Sequence, residues 1–157
     1  MKTVLLCIGK TDSAYLQTGI ADYVSRIPHY VPFEMTVIPD VKNSRGMTEE
    51  QQKTAEGKLI LAQVEPSDTL VLLDEGGKQF TSRQFAQFFT KAALSGARRL
   101  VFVIGGPYGF SPDVYARANQ KVSLSPMTFS HQMVRLIFVE QLYRAQTIIK
   151  GEPYHHD

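Results

Sequence analysis

Five short, strongly apolar segments constrain this chain more than anything else in it: Thr3–Ile8, Val31–Ile38, Thr69–Leu73, Leu100–Ile104 and Gln120–Leu124. A strand with one face in water alternates apolar and polar residues, whereas a strand covered on both faces has no reason to alternate. Continuous runs of this length therefore predict strands buried on both sides of a parallel sheet. Parallel strands need crossover connections, and the stretches between the runs have helical spacing. Asp12 or Ser13 can cap a helix reaching about Ile27, with Pro28 closing it. A polar helix from Thr48 to Val64 is closed by Pro66, and another runs from Ser82 to Leu94 up to Ser95-Gly96. A short helix opens at Ser111-Pro112 and includes Val114, Tyr115 and Ala118, and a last one runs from about His131 to Lys150, ended by Gly151. The alternation predicts an α/β architecture with a mostly parallel sheet. At 157 residues, one domain spanning 1–157 is expected.

Composition narrows the classes of function. Hydrophobic residues make up 43% and charged residues 20%, the balance of a globular protein and not of a disordered one. Net charge is +2, too small to announce a nucleic-acid partner. Residues 98–157 hold 7 Lys+Arg against 4 Asp+Glu, so any phosphate-facing surface is a local one. The single Cys7 excludes an intramolecular disulfide and a cysteine-rich zinc site, and its place in a strand predicts packing as a small apolar residue. His155-His156 lacks the i,i+4 spacing of a helical metal site, so no metal is expected and the tail reads as flexible. Lys10, Thr11 and Asp12 follow the first apolar run without a small-residue cleavage site, and no run is long enough to span a bilayer. The expectation is a soluble cytoplasmic protein.

Residues 101–111, VFVIGGPYGFS, place Gly105, Gly106, Pro107, Tyr108 and Gly109 at the carboxyl end of a strand. Ligands bind at such ends in open α/β sheets. A phosphate-binding loop of the G-x-x-x-x-G-K-[ST] type is excluded, because no lysine follows Gly109. A dinucleotide loop needs G-x-G-x-x-G after the first strand; here the spacing is G-G-x-x-G after the fourth, and Pro107 lacks the N–H a pyrophosphate would use. What remains is either a backbone left bare for close approach of a ligand or a tight turn alone.

Two further loops favour a ligand. Leu124-Ser125-Pro126-Met127-Thr128-Phe129 follows the fifth strand and leads through Ser130 to His131; Leu72-Leu73-Asp74-Glu75-Gly76-Gly77 ends the third. Three strand-end loops of Gly, Ser and apolar residues describe a pocket of backbone amides with greasy walls, better suited to a flat heteroaromatic ring with a sulfur-bearing chain than to a triphosphate.

The segments LVLLDEGGKQFTS, FVIGGPYGFS, SLSPMTFSHQMVRLIFVEQLYRA and the terminal GEPYHHD together closely resemble the RlmH family of SPOUT-class methyltransferases, over essentially the whole chain. The resemblance implies a parallel sheet with helices on both faces and a C-terminal deep trefoil knot. It implies a homodimer that uses S-adenosylmethionine to methylate N3 of a pseudouridine in 23S ribosomal RNA, on the assembled ribosome. By the same resemblance Leu73 lines the adenosine pocket, Gly105 and Gly106 pass close to the cofactor, and Leu124, Ser125, Pro126, Met127, Thr128 and Phe129 wrap it. Leu142-Tyr143-Arg144-Ala145 matches the family's helix motif and Pro153-Tyr154-His155 its tail motif. Where the family often has proline before the histidine of the last helix, this chain has Ser130, a good N-cap. Where the tail commonly has a second basic residue, it has His156.

Methyl transfer to a ring nitrogen requires alignment, and the weakly acidic N3–H must give up its proton or its anion be stabilised. The candidates are His131, Arg144, Tyr154 and His155, with the tail expected to fold over the pocket, that of a partner subunit. Val134, Ile137, Phe138, Leu142 and Ala145 form an apolar face of the last helix, part of it expected at the dimer interface. Lys10, Arg26, His29, Lys42 and Arg45 are candidate phosphate contacts. The competing readings are a hydrolase-like α/β domain, which would need a nucleophile or a Gly-Lys loop, and a non-catalytic ribosome-associated nucleotide-binding module.

Overall fold

The computed structural model describes residues 1–157. Its strands are β1 (Lys2–Ile8), β2 (Phe33–Ile38), β3 (Thr69–Gln79), β4 (Arg99–Ile104) and β5 (Gln120–Ser123), interleaved with α1 (Ala14–Arg26), α2 (Glu49–Leu61), α3 (Ser82–Leu94), α4 (Pro112–Arg117) and α5 (Met133–Ile149). All strand pairs are parallel, in the order β2-β1-β4-β3-β5. The continuous apolar runs have the cause the sequence suggested. Along β1, Leu5 and Cys7 join a core layer with α1, α3 and α5, while Val4, Leu6 and Ile8 join a second layer with α2 and α4. β4 divides in the same way, with Leu100, Phe102 and Ile104 to one side and Val101 and Val103 to the other. Helices thus cover both faces of the sheet. Phe102 and Phe138, with ring centroids 5.0 Å apart, tie β4 to α5 in the larger layer.

Two local expectations need correction. Residues 74–77 are not a loop ending the third strand. β3 continues to Gln79, and Leu73 and Lys78 both pair with Val122, so the residues between them form a bulge. Gly77 permits this, because a Cβ there would lie 2.6 Å from the backbone of both Lys121 and Val122. The first helix ends where Pro28 was expected to close it, at Arg26 with Ile27 as its C-cap, and Pro28 itself sits inside a 3-10 turn, Ile27–His29, where a missing N–H costs little. The last helix begins two residues later than expected. Ser130 Oγ still accepts from Met133 N at 3.0 Å, so this residue caps the entering turn and Gln132 occupies the N-cap position.

After β5, at one edge of the sheet, the chain passes over the strand ends and enters α5 beside β1. Arg135 fixes that arrival. It is fully buried and donates to Ile8 O at 2.6 Å, Gly9 O at 2.7 Å, Thr11 Oγ1 at 3.1 Å and His131 O at 3.2 Å. Carbonyl dipoles take the place of a carboxylate counter-ion here. Cys7 is buried as expected, and desolvation pushes its thiol up to about 11.

Candidate active site

The adjacent ends of β3, β4 and β5 open into a cavity of about 380 Å³, within the range of small-molecule sites. β3 contributes Leu73 and the first bulge residues, Asp74 and Glu75. The turn after β4 contributes Gly105, Gly106 and Pro107, and it closes on itself where Gly109 N donates to Gly106 O at 3.3 Å. Gly109 holds a φ of 83°, the left-handed conformation that glycine adopts without strain. The third wall is the crossing segment: Leu124, Ser125, Met127, Thr128 and Phe129. Ser125 shapes it, with its Oγ accepting from Met127 N and its carbonyl accepting from Ser123 Oγ, both at 2.9 Å. Of the residues expected around the cofactor, Pro126 alone is off the wall.

Neither glycine of the pair has room for a side chain. A Cβ on Gly105 would lie 2.9 Å from the Phe110 ring, and one on Gly106 would lie 2.7 and 2.8 Å from the carboxyl oxygens of Glu56. The strand end can therefore present only bare backbone to the cavity.

No lysine or arginine lines the cavity; its charged wall residues are Asp74 and Glu75. Asp74 is fixed in place, Oδ1 accepting from Gly76 N at 2.8 Å and Oδ2 accepting from the Tyr115 hydroxyl. Burial first, then Asp74, pushes the Tyr115 phenol up to about 12, so it remains a donor. An acidic cavity of mixed polar and apolar lining repels polyphosphate and suits a flat ring attached to a cationic chain.

Of the four candidate catalytic residues, the structure brings only His131 to this cavity, where it stands beside Val134. Arg144, Tyr154 and His155 meet elsewhere, on the outer side of α5. Glu140 organises them, its Oε1 accepting from Arg144 Nη2 at 2.5 Å and from Tyr154 OH at 3.0 Å. The Arg144 guanidinium stacks 4.8 Å from the Tyr154 ring centre, and Tyr23 OH lies 3.1 Å from Tyr154 OH. Desolvation, then Tyr23 and Glu140, raise the Tyr154 phenol, while Glu140 raises Arg144. His155 Nδ1 is 3.1 Å from Arg144 Nη1 and its Nε2 is 2.8 Å from Asp157 Oδ1. A guanidinium can only donate, so Nδ1 accepts and Nε2–H donates to Asp157, which fixes the neutral tautomer. His155 and then Arg83, at 2.8 Å, hold the Asp157 carboxyl below its usual range. The tail, expected to be flexible on composition alone, is thus tied to three separate elements. Among the candidate phosphate contacts, Arg26 is engaged with Asp22 at 3.1 Å.

Sequence reasoning placed Asp74 and Glu75 in a pocket loop without giving them a role, and passed over Glu140, Arg135 and Glu56 as site residues. Arg135 had a signal, since it shares the i, i+3, i+7 stripe of Phe138 and Leu142 and so belongs to the buried face of α5.

A five-stranded parallel sheet, covered on both faces and carrying its cavity where the last helix is led across the strand ends, has counterparts of known structure. A probable methyltransferase from Bordetella pertussis superposes with a TM-score of 0.54 at 13% identity, over 92% of this chain and 96% of that one. The TrmH/SpoU tRNA modifying enzyme of A. aeolicus gives 0.53 at 12%, over 99% and 82%. At such identities the likeness is one of fold. The family model described as "Predicted SPOUT methyltransferase" matches residues 1–155, and the chain belongs to that family. Nearer relatives carry a more particular name. "Ribosomal RNA large subunit methyltransferase H" of Parabacteroides distasonis is 58% identical over the full length of both chains. The protein of the same name from Christiangramia forsetii is 58% identical over 99% of each, and that from Bacteroides fragilis 53% identical over all of each.

Proposed function

We propose that this protein uses S-adenosylmethionine to methylate N3 of a pseudouridine in 23S ribosomal RNA, acting as a homodimer on the assembled ribosome. The observation that carries the reading is the cavity, walled by bare glycine backbone and the 124–129 crossing, in a chain 58% identical from end to end to a ribosomal RNA large subunit methyltransferase. Crossing and cavity belong together: we take this segment to be the threaded part of a trefoil knot.

The cavity fits the proposed donor in size, in its apolar flanks and in its acidic rim. Bound there, the donor supplies an electrophilic methyl group on a sulfonium. Leu73, Leu124 and Met127 flank its ring, the glycine pair leaves room for close backbone contact, and Asp74 and Glu75 meet its positive charge. The acceptor nitrogen must lose a proton as it gains the methyl. Arg144 offers a permanent charge for the ring anion, while Tyr154, whose one hydroxyl proton goes to Glu140, steadies the guanidinium that stacks on its ring. His155 keeps its neutral tautomer while Arg144 and Asp157 hold both ring nitrogens, which leaves the His131 ring at the cavity as the proton acceptor.

Within one chain Arg144, Tyr154 and His155 lie apart from the cavity, so one base reaches both groups only if the tail cluster stands over a partner's cavity. Met127, 74% exposed, and the exposed rings of Tyr108 and Phe129 border the mouth, where a second copy would cover them. Calorimetric titration with S-adenosylmethionine tests the donor, and mass spectrometry of ribosomal RNA from cells lacking the protein tests the product. We expect micromolar binding and loss of one methyl from a pseudouridine. Absence of binding overturns the reading, and binding without any methyl loss moves it to a non-catalytic module.

A further inference from the structure

One carboxyl group has no part in the chemistry above. Glu56, on α2, is 4% exposed. Its Oε2 accepts from Gln52 Nε2 at 3.2 Å, and its Oε1 has no hydrogen-bond partner. No cation pairs with it. The charged group acting on it is Asp40, after β2, which has the same sign. Ser111 and Val114, packed on the adjacent Gly57, do not ionise. A carboxylate in such surroundings is costly, and an apolar side chain of similar size would avoid the cost. Burial raises the Glu56 pKa, against the Gln52 hydrogen bond that lowers it, and the charge of Asp40 adds to the rise, which shifts the balance toward the neutral acid.

Its contact gives the group a purpose. The Gly105-Gly106 pair rests on two neighbours, the Phe110 ring at Gly105, itself part of the cavity lining, and the Glu56 carboxyl at Gly106, which is not. The ring is fixed in chemistry and shape, whereas the carboxyl can gain or lose a proton.

We propose that Glu56 is a positioning residue for the methyl donor, its carboxyl setting the height of Gly106 in the cavity wall. The proposal rests on the reading of the cavity as the S-adenosylmethionine site. The neutral acid fits the dry space with one hydrogen bond from Gln52. Ionised, the group faces Asp40 with a single donor to serve two charged oxygens; it draws in water or turns outward, and Gly106 loses its support. Donor affinity therefore falls as the pH rises through the titration of Glu56, and glutamine, which has the same shape and no proton to lose, removes that fall.

The test is calorimetry of the full-length protein with S-adenosylmethionine at about pH 5 and about pH 8.5, the lower close to the ordinary glutamate range and the upper well above it. Wild type weakens at least threefold between the two, while Glu56→Gln matches wild type within about twofold at the lower pH and holds its affinity at the higher one. Glu56→Ala, which removes the support, binds about tenfold more weakly at both. Alanine binding as tightly as wild type, or glutamine losing as much as alanine, overturns the proposal. So does an equal pH dependence in wild type and glutamine, and this arm stands even if the alanine variant folds poorly. Wild type failing to bind at either pH instead refutes the donor reading on which the proposal rests.

Discussion

The cavity and the tail cluster are built on opposite plans. The cavity is made of backbone: strand ends, two glycines with no room for a side chain, and a crossing shaped by a serine turn. The tail cluster is made of side chains that hold one another, Glu140 taking Arg144 and Tyr154 while His155 bridges Arg144 and Asp157. A backbone site loses its shape when a side chain is added, and a side-chain site loses its function when one is removed. The two regions should therefore fail separately, the first in donor binding and the second in methyl transfer.

The largest effect expected is that of Gly106→Val. Its branched side chain has to enter space occupied by Glu56, so calorimetric affinity for S-adenosylmethionine should fall by about 1,000-fold, roughly 4 kcal/mol. The melting transition should remain cooperative, and retained affinity would refute the cavity as the donor site. Next comes deletion of residues 153–157. Donor affinity should stay within about twofold, while methylation of ribosomes falls about 100-fold, by some 2.7 kcal/mol of barrier. Unchanged methylation would sink the role of the tail. Glu140→Gln is gentler, since the amide can still accept from Arg144 and Tyr154 but without charge; about tenfold in the methylation rate is expected, with donor binding untouched. Smallest is Tyr23→Phe, which deletes one hydroxyl contact to Tyr154 and should cost about threefold, read in the same assay.

Stability sharpens the contrast from the other side. Glu56 has a raised folded-state pKa, so the native state holds this proton more tightly than the unfolded chain. Below the ordinary glutamate range both states are protonated and there is no difference. As the pH climbs from there through the folded-state pKa, stability is lost, and above it the loss is complete. Glu56→Gln should accordingly melt higher than wild type at pH 8, by an amount equivalent to about 1 kcal/mol, with the gap closing toward pH 4. A gap that widens on acidification would contradict the buried, unpaired state of this carboxyl.

Most of the sheet was legible because burial on both faces leaves a plain mark, as in the unbroken run Leu100–Ile104. The β3 bulge was not, since Asp74-Glu75-Gly76-Gly77 has the composition of a loop, and only the backbone of Lys121 and Val122 explains why glycine lies inside a strand. The cavity walls were readable as loops at strand ends, because topology alone places them together. The tail cluster was visible only by resemblance: Tyr154 finds Tyr23 and Glu140, and Asp157 finds Arg83, at separations no local pattern encodes. Glu56 was hidden among the polar residues of α2, where one buried carboxyl looks like its exposed neighbours.

Arg135 also governs the order in which the molecule is assembled. Its guanidinium must leave water to reach two carbonyls 126 and 127 residues earlier in the chain. That exchange is favourable only once the end of β1 is already in place to receive it. The docking of the last helix is therefore expected to wait for the end of β1, and the contact couples the two ends of the chain. On the ribosome that made it, the protein would remain open at its strand ends at least until Arg135, in the first turn of α5, had emerged.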